Sequence, residues 1–549
     1  MSAYSEIKDK IQNVVTTTND IEELRAICRL LLNIVEESAS TIKKLTEQVQ
    51  ELRDEVNHLK GEKGKPTFKA KQPPDDHSSE DERSNKDNGG KDKKSKSKKH
   101  KIIISRKEVC PANTAELPQD AIFKGYQSVI VQDLIISTDN IEFQKEVYYS
   151  PSLGKSITGV LPSGYCGDFG PNIKTLILSL HNDSNMTQSA IVEFFTTHGV
   201  LISSASVARI ILGGYRQFKD EKTAIIKAGL QSSDYQHIDD TGAKVDGKQN
   251  YAHVLCNPYY TAYFTRPDKS RLTLLEILSG GTLEYRFDAL AYELMKSMKL
   301  PDKALESVKA MNPALILNQQ EVEQLLRVIY PEQNSYKTAR KVILEASAIS
   351  GYRNHPQAIQ LLLCDDAPQF KQITQELALC WVHEGRHYKK LTPIVNEHRQ
   401  ELDAFLSRFW DYYRELLKFK ECPTVEASVL LDIGFDQLFK MQVQYVELAE
   451  RMHKTVAKKR ELLVVLHHPG VPLHNNPAEH GARAQARKRD ISFQTKTALG
   501  TLAKDTMMTV VQTARKLKVN LYGYLYDRVS GAMNMPSLAE LILKQSGVT

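Results

Sequence analysis

Apolar residues recur at three- and four-residue intervals through the first sixty positions of the chain. With Ile21, Cys28, Val35, Ile42, Val49 and Val56 in one column, Leu24, Leu31, Ser38, Leu45, Leu52 and Leu59 fall in a second, three positions on. A seam that is mostly β-branched in one column and mostly leucine in the other predicts a coiled coil over 1–60 and favours a parallel dimer. Leu31, Leu45, Val49, Leu52, Val56 and Leu59 are its candidate dimerisation contacts, although the stripe could also fold as a hairpin onto the body. The pattern stops at GEKGKP, and from 61 to 100 the chain has no period and almost no apolar residue. Nothing there offsets the entropy of ordering, which predicts a flexible linker. Its lysine-rich end, with Lys94, Lys96 and Lys98, could touch phosphates or simply be solvated.

Alternation replaces the helical period after the linker. IIISRKEVCPANTAELP and the stretch SVIVQDLIISTDNIEFQKEVYYS (128–150) predict a small β-rich domain over 101–165. Helical periodicity returns over 172–218, broken at HGV and a serine pair, where Ser203 or Ser204 can cap a helix from Ala205 to Leu212. The two helices suggest a helix-turn-helix in a DNA-binding region 166–228, an arrangement that is also common in plain helical domains. Strands are then predicted in YQHIDDTGAKV (235–245), NYAHVLCNPYYTAYFTR (250–266) and AIQLLLCDDAPQF (358–370). The first runs into a turn at Thr241 and Gly242 and on into a hairpin with Gly247 in the connection, and Tyr259 to Phe264 forms the third strand. Ile359 to Cys364 is almost continuously apolar and reads as central and buried. Helical text fills 275–355, 392–465 and 501–549.

Length and charge narrow this picture only a little. A chain of 549 residues exceeds one core and implies several domains. The net charge of +6 makes any nucleic-acid surface local. Seven cysteines, an odd number with no C-x2-C pair, argue against a disulfide framework or a four-cysteine zinc site. Neither a signal-type apolar region nor a run of 18 apolar residues occurs, so a soluble protein of a reducing compartment is expected. A nucleotide-binding phosphate loop of the G-x-x-x-x-G-K type is also missing.

The candidate chemistry lies in carboxylates. Two predicted strands end in paired aspartates, Asp239–Asp240 and Asp365–Asp366, and a carboxylate at the end of a buried strand is costly unless it has a partner. From Pro477 the run PAEHGARAQARKRD predicts a helix with proline in its first turn, carrying Glu479, Arg483 and Arg487 on one face. Two aspartates and this glutamate could share divalent cations, and the arginines could meet phosphate oxygens. Taken alone, the helix could equally be a surface helix laced by Glu479 and Arg483. Cys380, His383 and His387 have helical spacing but no obvious fourth zinc ligand. His467 and His468 read as loop residues.

Three motifs in order, HIDDT (237–241), LCDDAPQF (363–370) with CWVHEGRHY (380–388), and NNPAEHGAR (475–483), resemble the transposases of the insertion-sequence-66 family. The resemblance extends to TARKLKVNLYGYLY (513–526). It implies a multidomain α/β protein with a ribonuclease H-like, retroviral integrase-like catalytic core whose Asp239, Asp365 and Glu479 bind two Mg2+ ions, with Mn2+ able to substitute. The implied activity is binding of transposon ends, DNA cleavage, and joining of the 3′-hydroxyl ends to target DNA. The implied partners are double-stranded DNA with terminal inverted repeats, target DNA, a second copy of the chain in a homodimer or larger oligomer, and two small element-encoded companion proteins. No membrane is implied, and the expected place is the bacterial cytoplasm at the nucleoid. Asn475, Asn476, Arg483, Arg487, Lys488 and His383 are the expected DNA contacts, and Cys380 and Trp381 are expected to pack.

In this frame the core spans 229–391 and 466–500, with a helical elaboration at 275–355 and a helical insertion domain at 392–465. His474 replaces the aspartate usual before the asparagine pair, and only Cys110 lies where family members often carry a cysteine-rich zinc module. Strand alternation lets one aspartate of each pair face the metals, with Asp240 and Asp366 as rivals to the preferred Asp239 and Asp365. A transposase-derived DNA-binding scaffold without catalysis, or a structure-specific nuclease, would fit the same residues.

Overall fold

The computed structural model describes residues 21–59, 102–113, 118, 120–311, 316–330 and 336–548; Lys94, Lys96 and Lys98 lie outside them. Helix α1 (Ile21–Leu59) carries the heptad seam. Its Leu31, Leu45, Val49 and Leu52 are exposed, while the side chains of Val56 and Leu59 lie outside the described set. The opposite, polar flank of α1, with Asn33, Glu37, Thr41 and Lys44, faces a small cleft shared with Tyr445, Val446, Glu447 and Glu450.

Among the described residues of 101–165, where a β-rich unit is expected, the strands are those of one antiparallel hairpin, β1 (Val147–Ser150) with β2 (Lys155–Thr158). Upstream of it Val129, Val131, Leu134 and Ile135 are about four-fifths exposed and belong to no strand. Alternation marks residues that fit a sheet, but without a partner strand they form none.

Helices α2 (Pro171–Asn182), α3 (Gln188–Thr197) and α4 (Ser204–Gln231) pack around Ile177, Ile191, Phe195, Val207 and Ile211. Ser203 is the cap, accepting from the Ser206 N–H at 3.2 Å. The helix it starts runs 28 residues instead of ending at Leu212. Gly213 and Gly214 do not stop it because Gly214 lies against Leu178, where a Cβ would meet Leu178 Cδ2 at 2.9 Å, and Phe218 and Ile225 beyond are fully buried.

A five-stranded mixed sheet follows, made of β3 (Tyr235–Val245), β4 (Lys248–Cys256) and β5 (Thr261–Arg266) and, after a long helical excursion, two parallel strands. β3 runs straight through Thr241 and Gly242; the turn comes at Asp246–Gly247, whose φ values of 48° and 74° suit a two-residue hairpin. The excursion contains α5 (Arg271–Leu278), β6 (Tyr285–Arg286), α6 (Ala289–Ser297), α7 (Asp302–Lys309), β7 (Ile316–Leu317), α8 (Gln319–Ile329) and α9 (Lys337–Arg353). β8 (Leu361–Cys364) is buried at all four positions and pairs parallel to β3, and β9 (Glu376–Leu379) pairs parallel to β8. The order is β5-β4-β3-β8-β9, consistent with the integrase-like superfamily.

Beyond β9 come α10 (Trp381–Lys389), α11 (Asn396–Glu421), α12 (Val425–Phe439), α13 (Val446–Val456) and the short α14 (Lys459–Leu462). The chain then returns to the sheet as α15 (Asn476–Ser492) and α16 (Ala498–Lys516), followed by α17 (Leu521–Ser530) and α18 (Leu538–Ser546). α16 closes the β5 edge with one column of side chains. Thr513 Oγ1, Thr509 Oγ1 and Asp505 Oδ2 accept from the N–H groups of Thr261, Tyr263 and Thr265 at 3.2, 3.1 and 2.6 Å. Positions four apart on the helix thereby meet positions two apart on the strand, and donors that would otherwise be buried unpaired are satisfied.

Candidate active site

Sheet register brings the two aspartates together. His237 pairs with Leu363 across the parallel β3–β8 ladder, and continuing that register two residues sets Asp365 beside Asp239. Across the other edge of β3, Asp239 pairs with Val254 of β4. α15 crosses over Val254 at Gly481, where an added Cβ would lie 2.6 Å from Val254 Cγ1, and the Tyr263 hydroxyl donates to the Gly481 carbonyl at 3.0 Å. Glu479, two residues earlier and in the first turn of α15, is thus carried to the same end of the sheet.

The electrostatics are consistent with this register. The Asp239 carboxyl is raised to about 7, first by burial and then by Asp365, with smaller contributions from Asp240 and Glu479. Burial also raises Asp365, while His383 pulls it part of the way back. The doubled aspartates have different surroundings. Burial pushes the Asp366 carboxyl up, but ion pairs with Lys458 (2.5 Å) and Lys371 (2.9 Å) outweigh it and hold it below the usual range. Asp240 accepts from Gln369 at 2.8 Å and pairs with Lys269 at 3.4 Å. Asp239 and Asp365 are the members of the two pairs whose carboxyls are raised.

Two residues that sequence reasoning did not single out complete the site. Arg386, on α10, donates Nη1 and Nη2 to the two Glu479 oxygens at 3.2 and 3.3 Å. Glu384, 2% exposed on the same helix, accepts from Arg451, from Thr455 Oγ1 at 2.5 Å and from Lys458 at 3.3 Å. A charged residue between Trp381, Val382, Gly385 and Tyr388, all buried, was the available signal for Glu384.

Three expected DNA contacts have other settings. Asn475 is 2% exposed: its Oδ1 accepts from His237 Nδ1 at 3.0 Å, its Nδ2 donates to the Ile238 carbonyl at 2.8 Å, and its N–H reaches Cys380 Sγ at 3.3 Å. It is a clip between β3, α10 and α15, not a surface group. Lys488 is likewise buried, donating to the His181 carbonyl, and burial lowers it to about 8. Asn476 is half-buried at the start of α15. Arg483 and Arg487 are exposed, and Arg483 also lies 3.8 Å from Glu479. His383 sits on α10 close enough to Asp365 to act on its charge, whereas Cys380 and Trp381 are buried. The Trp381 ring lies 5.5 to 6.4 Å from those of Phe409, Tyr412, Phe435 and Phe439.

Among the described residues no three His, Cys, Asp or Glu side chains are spaced to hold a metal ion as they stand. The donor chemistry nonetheless fits a hard divalent cation: all three groups offer oxygen, and the repulsion from Asp365 that adds to burial in raising Asp239 is what a cation between the carboxylates would relieve.

Residues 167–291 match the family model described as Transposase IS66 family. The match takes in α2 to α5 and the β3–β4–β5 meander with Asp239, and it ends in α6, ahead of Asp365 and Glu479. Over 310 residues the chain is 28% identical to an uncharacterized protein, y4jO, of Sinorhizobium fredii (strain NBRC 101917 / NGR234), covering 56% of this chain and 94% of that protein. Over residues 167–291 the chain is therefore similar to the IS66 family of transposases.

Proposed function

We propose that the protein is a DNA transposase that binds transposon ends, cleaves them and joins the 3′-hydroxyl ends to target DNA within a ribonuclease H-like core. The observation that carries the reading is the parallel β3–β8 register, which runs Asp239 and Asp365 to the same end of the sheet, together with the Asp239 carboxyl raised to about 7 by burial first and Asp365 next. Asp239, Asp365 and Glu479 would hold Mg2+ or Mn2+, and bound metal would supply Lewis-acid activation of water or of a 3′-hydroxyl. Lys458 and Lys371 hold Asp366 away from that role. Arg483 and Arg487, exposed on the helix of Glu479, are placed to meet DNA phosphates, with Asn476 and His383 at the rim.

The exposed seam of α1 supports pairing of two copies, which a reaction at two DNA ends requires. Companion proteins and the lysine-rich linker would add DNA or partner contacts. Among the described residues no helix is long and apolar enough to cross a membrane. Engagement of both Glu479 oxygens by Arg386 favours one second reading, a DNA-binding scaffold in which the carboxylates no longer take metal.

The test is Mg2+-dependent cleavage and strand transfer on DNA carrying the sequences that flank the gene, with wild type compared to Asp239→Asn, Asp365→Asn and Glu479→Gln. Loss of chemistry with retained end binding in each variant supports the transposase. Cleavage that survives all three substitutions refutes the site, and end binding without chemistry in the wild type selects the scaffold.

A further inference from the structure

We propose that Arg386 is a latch on Glu479, so that the site captures metal only when the guanidinium fork lets the carboxylate go. This rests on the metal-site reading above and adds to it a residue that controls when the third carboxylate is available. Both Arg386 nitrogens meet both Glu479 oxygens, at 3.2 and 3.3 Å, so the pair is a parallel fork and not a single-point contact. A carboxylate held this way has one lone pair of each oxygen committed and its charge offset by the guanidinium, and a metal must compete with both.

The rest of α10 explains why the latch is well aimed. Cys380, Trp381, Glu384 and Tyr388 are buried, so the helix is anchored on its inner face. His383 and Arg386, one turn apart and half-exposed, project from the other side toward Asp365 and Glu479 respectively. The Arg386 side chain retains 37% of its exposure, so the fork lies at the open side of that anchor. Arginine suits the role because its planar fork matches both carboxylate oxygens at once, whereas a lysine ammonium would hold one point. With Glu479 turned to Arg386, the three carboxylates do not form a ligand set as they stand, in agreement with the spacing observed.

The experiment is a titration of the full-length protein with Mn2+ alone, with free Mn2+ followed by electron paramagnetic resonance. The proteins are wild type, Arg386→Gln, Arg386→Lys, Glu479→Gln and the Arg386→Gln/Glu479→Gln double variant. Arg386→Gln is expected to bind Mn2+ roughly tenfold more tightly than wild type, about 1.4 kcal/mol. Arg386→Lys, which keeps the charge but not the fork, should fall between the two. In the Glu479→Gln background, removing Arg386 should change the affinity by less than about twofold, because the latch has nothing left to hold. An equal gain in both backgrounds would reveal a general charge effect and overturn the latch, as would no gain in a wild type that does bind Mn2+. Absence of Mn2+ binding in every protein would instead remove the metal site itself and the latch with it.

Discussion

Replacing Gly481 with alanine should separate folding from chemistry. The added methyl would lie 2.6 Å from Val254 Cγ1 and 3.4 Å from both Thr261 Cγ2 and Tyr263 Oη. Carbon atoms sit comfortably at roughly 3.5–4.0 Å, so α15 must back away from the sheet by about 1 Å. Val254 cannot yield, being β-branched and fully buried. Overpacking of this kind costs about 1–3 kcal/mol, and the better helix propensity of alanine returns up to about 1 kcal/mol, leaving a net loss of about 0–2 kcal/mol. The chemical consequence is larger. Glu479 moves with the helix while Asp239, the cross-strand partner of Val254, stays in the sheet, and an error of about 1 Å in such a constellation costs on the order of 10²-fold in rate. Thermal unfolding should therefore change little, while the Mg2+-dependent cleavage rate falls about a hundredfold. Gly434→Ala, where the nearest atom is Tyr412 Cε2 at 3.4 Å, is the control and should leave cleavage intact. An unchanged cleavage rate in Gly481→Ala would refute the argument that this close approach sets the position of Glu479.

The other predictions concern charge and the buried clip. Because the folded Asp239 carboxyl is raised to about 7 from 3.8, the folded chain keeps a proton that the unfolded chain releases; the associated stability is complete below about pH 4 and is lost as pH rises through about 7. Denaturant unfolding in chelator should show wild type losing up to about 3 kcal/mol between pH 5 and 8, Asp239→Asn should flatten that slope, and parallel slopes would refute the raised Asp239 carboxyl. Glu384→Ala should cost about 3–5 kcal/mol because it strands Arg451 and leaves Lys458 with Asp366 alone, and a loss below about 1 kcal/mol would show that the network is not holding these helices. Asn475→Ala removes the bonds to His237 and the Ile238 carbonyl and should cost about 2–4 kcal/mol in the same assay, whereas a near-neutral result would restore Asn475 to a surface role.

Sequence pattern served best where one element decides its own structure. The apolar run before Asp365 is the buried strand β8, and the proline at 477 does lie in the first turn of α15. It served least where a distant surface decides. Thr241 and Gly242 look like a turn, yet nine cross-strand pairs with β4 keep them extended, and the chain reverses only where two successive residues take positive φ. β9 has just four residues and little alternation, and it becomes a strand because Leu361 to Cys364 offers an open parallel edge. Basic residues are ambiguous for the same reason: Arg487 and Lys488 are neighbours in the sequence, but one faces solvent and the other reaches a carbonyl of α2. Asn475 reads as a polar group in a basic motif, and its partner His237 is 238 positions away.

The distribution of buried contacts makes α10 the joint between the inserted helices and the carboxylates. Trp381 packs its ring among residues of α11 and α12 and donates its Nε1–H to the Leu462 carbonyl at 2.8 Å, so its position depends on the inserted helices. Lys458, after α13, pairs with Glu384 of α10 and with Asp366, the neighbour of Asp365, and this one ammonium couples α10 to the end of β8. On the far side Cys380 accepts from the N–H groups of His383 and Asn475, which ties the start of α10 to the start of the Glu479 helix. A displacement of the inserted helices therefore moves His383, Arg386 and Asp366 together, whereas Asp239 is held by the sheet.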